Sequence, residues 1–146
     1  MHLLDSELKE ILLASGLIAE AEFNVAKKDT ERSGRDILDT LIGEGNISEE
    51  NARDYLADFF HVPTIDLEKT DLDQNVLERI SESFAKTHQV ILFDFNEAKG
   101  MGKLAMLDPG NLAVVEFLRF KLNAWLDVSM VTPKGLRHGL NQYKRK

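Results

Sequence analysis

Apolar residues in the first sixty positions recur at three- and four-residue intervals, the spacing that lines one face of an α-helix. Leu8, Ile11, Leu12 and Leu13 form one stripe, with Asp5 or Ser6 as the expected N-cap and Gly16 as the stop. A second helix is predicted from about residue 19 to 31, with Phe23 and Ala26 inward, ending before Ser33-Gly34. A third spans about 35–44 on Ile37, Leu38, Leu41 and Ile42, and Gly45 ends it. Ser48 caps a fourth that runs through Phe60, its inward face read as Ala52, Tyr55, Leu56 and Phe59.

These four helices are two copies of one unit. A shift of 29 residues lays Leu8 on Ile37, Leu12 on Leu41, Leu13 on Ile42, Gly16 on Gly45, Ile18 on Ile47 and Glu20 on Glu49. Each unit is a helix, a glycine stop, a short apolar pair and a second helix. A left-handed residue just past a helix end explains glycine at both stops. Two such hairpins bury their stripes against each other.

The pattern changes at His61-Val62-Pro63. Thr64-Ile65-Asp66-Leu67 reads as a short extended segment. Asp71 or Asp73 opens a helix on Val76, Leu77 and Ile80, and Ser81 opens another with Phe84 inward. Val90–Phe93 and Lys103–Leu107 read as two strands of a long-looped hairpin. Asp108-Pro109 reads as N-cap and first turn of a helix carrying Leu112, Val114, Val115, Phe117, Leu118 and Leu122, expected to pack flat on the sheet. Trp125–Val131 is a third strand. Thr132-Pro133 repeats the cap-plus-proline device before a last helix with Leu136, Leu140 and Tyr143. The expected class is therefore α+β. Residues 1–61 would be a bundle of two repeated helical hairpins, and residues 62–146 a small, mostly antiparallel sheet covered by helices.

Composition adds three constraints. No cysteine is present, which excludes disulfides, thiolate metal sites and cysteine nucleophiles and fits a reducing cytosol. No apolar run is long enough to cross a bilayer, and the start lacks the pattern of a signal peptide. The net charge of −7 is uneven: residues 1–60 hold 14 Asp/Glu against 6 Lys/Arg, and residues 61–146 hold 11 against 12. An acidic first half repels nucleic acid and anionic lipid and suits a basic or mixed partner.

No catalytic set emerges. Lys99-Gly100-Met101-Gly102-Lys103 resembles a phosphate loop only in its last Gly-Lys: Glu97 stands where the first glycine belongs, Leu104 replaces the hydroxyl, and a strand follows instead of a helix. His2, His61, His88 and His138 are never at ligand spacing. Glu49-Glu50 sit in a first helical turn, where the helix dipole accounts for them.

The ordered pieces carry a resemblance. They are Gly16-Leu17-Ile18 with Phe23, Ser33-Gly34, Leu41-Ile42 with Gly45-x-Ile47-Ser48-Glu49-Glu50, Val62-Pro63-x-x-Asp66-Leu67, and Asp108-Pro109 before an apolar helix. Together they resemble the N-terminal, MshEN-like domain that precedes the motor in type II secretion and type IV pilus assembly ATPases. The resemblance implies a non-catalytic docking or regulatory module in the cytoplasm, peripheral to the inner membrane through a protein partner. That partner would be an inner-membrane or platform component of the machine. A hexameric ATPase motor would follow if the chain is a fragment; Lys144-Arg145-Lys146 reads equally as a terminus or a linker. No nucleic acid and no membrane insertion are expected.

Some relatives bind cyclic di-GMP through two copies of Arg-Leu-Gly, apolar pairs, a glycine and a closing glutamine. Here the corresponding positions are degenerate. Leu8, Leu12, Leu13, Gly16, Ile37, Leu41, Ile42 and Gly45 remain, but Glu7-Leu8-Lys9 and Asp36-Ile37-Leu38 replace the triplets, and Thr30 and Phe59 replace the glutamines. Arginine would supply a charge-assisted bond and a stacking plane, whereas Glu7 and Asp36 would face phosphate charge. No cofactor is therefore expected, and a cyclic di-GMP sensor is the alternative reading.

Overall fold

The computed structural model of the chain describes residues 2–144. Four helices come first: α1 (Asp5–Ala14), α2 (Glu20–Ser33), α3 (Ile37–Gly43) and α4 (Glu49–Phe60). After a 3-10 turn at Leu67–Lys69 come α5 (Gln74–Leu77), α6 (Glu82–His88), β1 (Val90–Asn96), β2 (Met101–Met106), α7 (Leu112–Leu122), β3 (Trp125–Met130) and α8 (Pro133–Leu140). The fold is α+β, as the pattern implies.

The repeat is visible in the backbone. Gly16 and Gly45 have φ of +76° and +78°, and their N–H groups donate to Leu13 O (3.2 Å) and Ile42 O (3.1 Å). A Cβ at either position would meet nothing within 4 Å. The hand of the backbone, not crowding, selects glycine there. Among these four helices one start differs from expectation. Asp5 and Ser6 do not cap α1; Leu4 holds the N-cap position, and its N–H donates to Glu7 Oε1 at 3.0 Å. α2 starts the same way, with Ala19 N–H on Glu22 Oε1 at 2.9 Å. α4 uses the predicted cap, Asn51 N–H donating to Ser48 Oγ at 3.1 Å. Tyr55 and Phe59, expected inward, are 38% and 39% exposed, because the buried stripe of α4 runs through Ala52, Leu56 and Ala57.

Two apolar clusters form. One holds the buried residues of the four helices, among them Leu12, Phe23, Leu41 and Leu56. The other surrounds the sheet with Leu67, Leu77, Ile91, Leu104, Leu118 and Leu136. Met130, at the end of β3, belongs to the helical cluster although its strand belongs to the sheet. Its N–H donates to Pro63 O (2.8 Å) and its carbonyl accepts from Ile65 N–H (3.0 Å), so Pro63–Ile65 forms a one-bridge stub of strand along β3.

The sheet order is β1-β2-β3. β1 and β2 pair antiparallel, but the strands are longer than expected and the connection is a tight turn. Gly100 N–H donates to Glu97 O at 3.2 Å, and Gly100 takes φ +61°. Gly102 therefore lies within β2, where a Cβ would come within 2.9 Å of the Leu126 side chain. The expectation of a mostly antiparallel sheet is corrected at the second ladder: β2 and β3 are parallel. α7 is the cause, since a crossover helix returns the chain to the same end of the sheet. Val90, Ile91 and Leu92 are consecutive and fully buried, so both faces of the sheet are covered at that end. At the other end Asp94, Lys103 and Asp127 share one exposed face.

Two further expectations need correction. Asp108-Pro109 does not open α7: Asp108 Oδ1 accepts Gly110 N–H at 3.0 Å in a local turn, and its Oδ2 accepts His2 N–H at 2.8 Å. Asn111 caps α7 instead. Nor does α7 bury all its apolar residues. Val114, Val115 and Leu118 face in, while Leu112, Phe117 and Phe120 are 68%, 49% and 87% exposed. The Thr132-Pro133 start of α8 forms as predicted, with Gly135 N–H on Thr132 Oγ1 at 3.0 Å.

Tyr143, just beyond α8, closes the second cluster. Its hydroxyl lies 3.1 Å from Leu77 O, which also accepts the Ile80 N–H at 3.2 Å, and 3.0 Å from Ile80 O, which has no backbone donor among the described residues. Burial first, then Glu82 and Glu78, push its pKa up from 10.0 to about 12. The folded state thus holds this proton more tightly than the unfolded chain. The stability this provides is complete below pH 10 and lost as pH rises through about 12. Tyr143→Phe is expected to lower stability by about 1–3 kcal/mol at neutral pH by leaving the Ile80 carbonyl unpaired. It should also flatten the decline between pH 10 and 12. Urea midpoints of both proteins across that range check both points.

Candidate functional site

The eight positions related by the repeat fall into three structural roles. Leu8, Ile37, Leu12 and Leu41 are buried, with Leu12 and Leu41 wholly so. Leu13 and Ile42 are half-buried. Gly16 and Gly45 are exposed and left-handed. Packing and chain reversal therefore use these residues fully.

The flanking substitutions have partners of their own. Glu7 is bound to the Leu4 amide. Lys9 Nζ pairs with Glu20 at 3.1 Å. Leu38 is 8% exposed, and Phe59 stacks edge-on against Phe60 with centroids 5.2 Å apart. Thr30 Oγ1 is buried without a partner. Across the repeat, Asn46 Nδ2 donates to Glu22 Oε2 at 2.7 Å, fastening the second glycine stop to the start of α2. The Ala19 amide and then Asn46 hold the Glu22 carboxyl below its ordinary pKa.

The second copy of the repeat faces a cleft of about 160 Å³ between the helices and the sheet. Asp36, Leu38 and Ile42 line it from α3 and its N-cap, and Leu107, Met130 and Pro133 line it from the sheet half. Asp39, Glu49 and Arg53 complete its charged rim. Arg53 is only 15% exposed; its Nε pairs with Asp54 at 3.0 Å and its Nη1 reaches Ile65 O at 3.5 Å. Three carboxylates against one guanidinium make the rim repel anions. The volume is also below that of ordinary small-molecule sites, about 300–1,000 Å³. Burial, then Asp36, raises the Asp39 pKa, and Arg35 opposes the shift.

A larger groove, about 650 Å³, lies along β3. Phe60, Val62 and Pro63 border it on one side, Pro109, Leu112 and Arg119 on the other. Sequence reasoning did not find either concavity. Arg53, Leu107 and Met130 are far apart in the chain and meet only through the parallel ladder, which leaves no local pattern. Among the described residues no group of three or more His, Asp or Glu is placed to hold a metal, and no helix is long and apolar enough to cross a membrane.

This arrangement of four helices followed by a three-stranded sheet has known counterparts. The MshEN domain family matches residues 60–146, more than half of the sequence. The chain belongs to the MshEN domain family. The family match covers the sheet half and stops short of the repeat, so it bears on the second cluster and not on Leu8–Gly45. This MshEN chain is similar to MshE in its structure with cdg, at 26% identity and a TM-score of 0.77, covering 94% of this chain and 98% of that one. It has the fold of the N-terminal domain of XpsE, at 17% identity and a TM-score of 0.72, covering 96% and 95%. Two type IV pilus assembly ATPases named PilB are also similar. That of Myxococcus xanthus is 24% identical over 96% of this chain, and that of Thermus thermophilus 26% over 72%. The chain spans about a quarter of the first relative's length and 12% of the second's.

The cleft yields a stability test. The raised Asp39 pKa means that the stability linked to its proton is present below the unfolded value of 3.8 and lost as pH rises through the folded one. Ionised Asp39 is therefore unfavourable in the folded domain at neutral pH. Asp39→Asn should raise the thermal midpoint at neutral pH, and the gain should vanish in acid as the wild-type carboxyl protonates. Melting curves of both proteins from neutral pH to below pH 3.8 decide it.

Proposed function

We propose that this MshEN chain is a non-catalytic docking and regulatory domain of a type IV pilus or type II secretion ATPase. In this reading it binds a protein component of the assembly machinery. The observation that carries this reading is similarity along nearly the whole chain to the pilus ATPase of Myxococcus xanthus and to the MshE domain. The surface supports it. Leu112, Phe117, Phe120 and Trp125 are large apolar side chains exposed in the sheet half, available to a partner. The partner would be an inner-membrane or platform protein, which places the domain at the cytoplasmic side of the membrane without inserting it.

A cyclic di-GMP sensor is the second reading, favoured by the structure of MshE with cdg. Against it stand Glu7 and Asp36 in place of the arginines, Leu38 packed where a glycine would admit the ligand, and wholly buried Leu12 and Leu41. Affinity capture of the assembly proteins' cytoplasmic regions by the folded domain, alongside calorimetry with cyclic di-GMP, separates the two. The expected outcome is retention of one assembly protein and no heat from the nucleotide. Micromolar nucleotide binding that disappears in a still-folded Leu41→Ala variant favours the sensor instead. That variant needs a folding control, since the cavity alone costs about 2–5 kcal/mol.

A further inference from the structure

β3 is an edge strand, and its outer side is paired only at one end. Trp125 N–H and Val131 N–H point inward, donating to Gly100 O at 2.8 Å and Met106 O at 3.0 Å. Backbone groups alternate along a strand, so Leu126, Val128 and Met130 point outward. Met130 is satisfied by Pro63 and Ile65. The Leu126 carbonyl is covered by Arg119 Nη2 at 3.0 Å. The N–H of Leu126 and both groups of Val128 have no protein partner among the described residues.

The stub stops short for a local reason. Continued by two residues, the Thr64–Met130 register would bring Val62 opposite Val128. His61, however, is the left-handed C-cap of α4, with φ +56°, and turns the chain away from the sheet. The edge is left open beside a strand that already demonstrates parallel pairing. β3 carries neither proline nor lysine, the residues that most often blunt an edge. The 650 Å³ groove borders this unpaired stretch, with apolar walls from Val62, Leu112 and Val115. Its charged lining is Lys103, Arg119 and Asp127; Asp127 is bound to Trp125 Nε1 at 2.8 Å, Arg119 Nη1 pairs with Glu116 at 3.1 Å, and Lys103 Nζ lies 4.0 Å from Asp94. Arg119 Nε, in the same wall, is buried without an acceptor.

We infer that the outer edge of β3, from Leu126 to Val128, is a strand-addition site for an extended segment of a partner protein that carries an acidic side chain toward Lys103 and Arg119. The unmade backbone bonds call for a peptide main chain, the apolar walls take alternate side chains, and the buried Arg119 Nε without an acceptor calls for an acidic side chain. This rests on the docking reading above but deepens it to a particular surface and binding mode.

Val128→Pro is the sharpest variant, because the Val128 N–H is not used in the β2 ladder and an edge strand tolerates proline on its open side. Val128→Lys and Lys103→Glu serve if the proline variant does not fold, and Lys28→Glu on α2 is the control. Each is tested against the cytoplasmic regions of the assembly proteins and against a displayed library of short random peptides, with amide exchange measured at residues 126 and 128. The expected result is binding weakened by about tenfold or more in the edge variants, unchanged in the control, with exchange at both amides slowed in the complex. Assembly proteins that bind all variants equally, without protection at 126 and 128, overturn the edge and leave the docking reading intact. Library peptides that bind the edge while no assembly protein binds support the edge and overturn the docking reading. No binding of either kind overturns the edge.

Discussion

The two halves of this domain meet at Met130, and most of what is unusual about the molecule depends on that residue. Its backbone pairs with Pro63 and Ile65, its strand pairs with β2, and its side chain is buried among the helices. One position thus belongs to the sheet by hydrogen bonding and to the helical cluster by packing. Arg53 reinforces the seam from α4 by reaching the Ile65 carbonyl. The small acidic cleft exists because these contacts hold α3 opposite Leu107 and Pro133 without closing the space between them. The open edge of β3 exists because the same seam ends at His61.

The helical repeat illustrates how one set of residues serves two explanations. Leu12, Leu41, Gly16 and Gly45 are what a nucleotide-binding relative would require, and they are equally what two stacked hairpins require. The structure distinguishes the demands by position. Gly16 and Gly45 take φ of +76° and +78°, which glycine adopts without strain, so chain reversal accounts for them without a ligand. A ligand needs the triplet positions free, yet Glu7 and Lys9 are engaged with Leu4 and Glu20. The packing role is fully used, so retention of these residues does not by itself argue for the ligand.

Local chemistry was legible in the sequence wherever a single turn of chain decides the outcome. The glycine stops, the Ser48 and Ser81 caps and the Thr132-Pro133 start all follow from residues within three positions of one another. Asp108-Pro109 looked identical to Thr132-Pro133 and behaved differently, because Gly110 offers Asp108 an amide two residues on and the chain start supplies His2 as a second partner. Periodicity found the buried stripe of α7 but not that Leu112 and Phe117 lie outside it, since an apolar run carries no mark of which side meets the sheet. Strand direction was illegible for a similar reason: β3 reads the same in either orientation, and only the path of α7 across the sheet makes it parallel.

The same topology explains why the exposed apolar surface is where it is. An antiparallel third strand would leave a tight hairpin beside β2 and free α7 to cover the sheet edge. A parallel one obliges α7 to span the full length of β3 to return the chain, so its outer face is carried away from both clusters. Leu112 and Phe120 are thereby left in solvent and Phe117 is half-exposed against Phe84, while the Trp125 ring is held by Arg119 with the guanidinium 3.9 Å from its centroid. That contact fixes Arg119 over the Leu126 carbonyl and closes the edge at one end, while Pro63 and Ile65 close it at the other. Between these two ends the backbone of Val128 stays bare. The unpaired stretch is a consequence of how a helical repeat is joined to a parallel-ended sheet, and any protein that docks here meets a surface with both ends already defined.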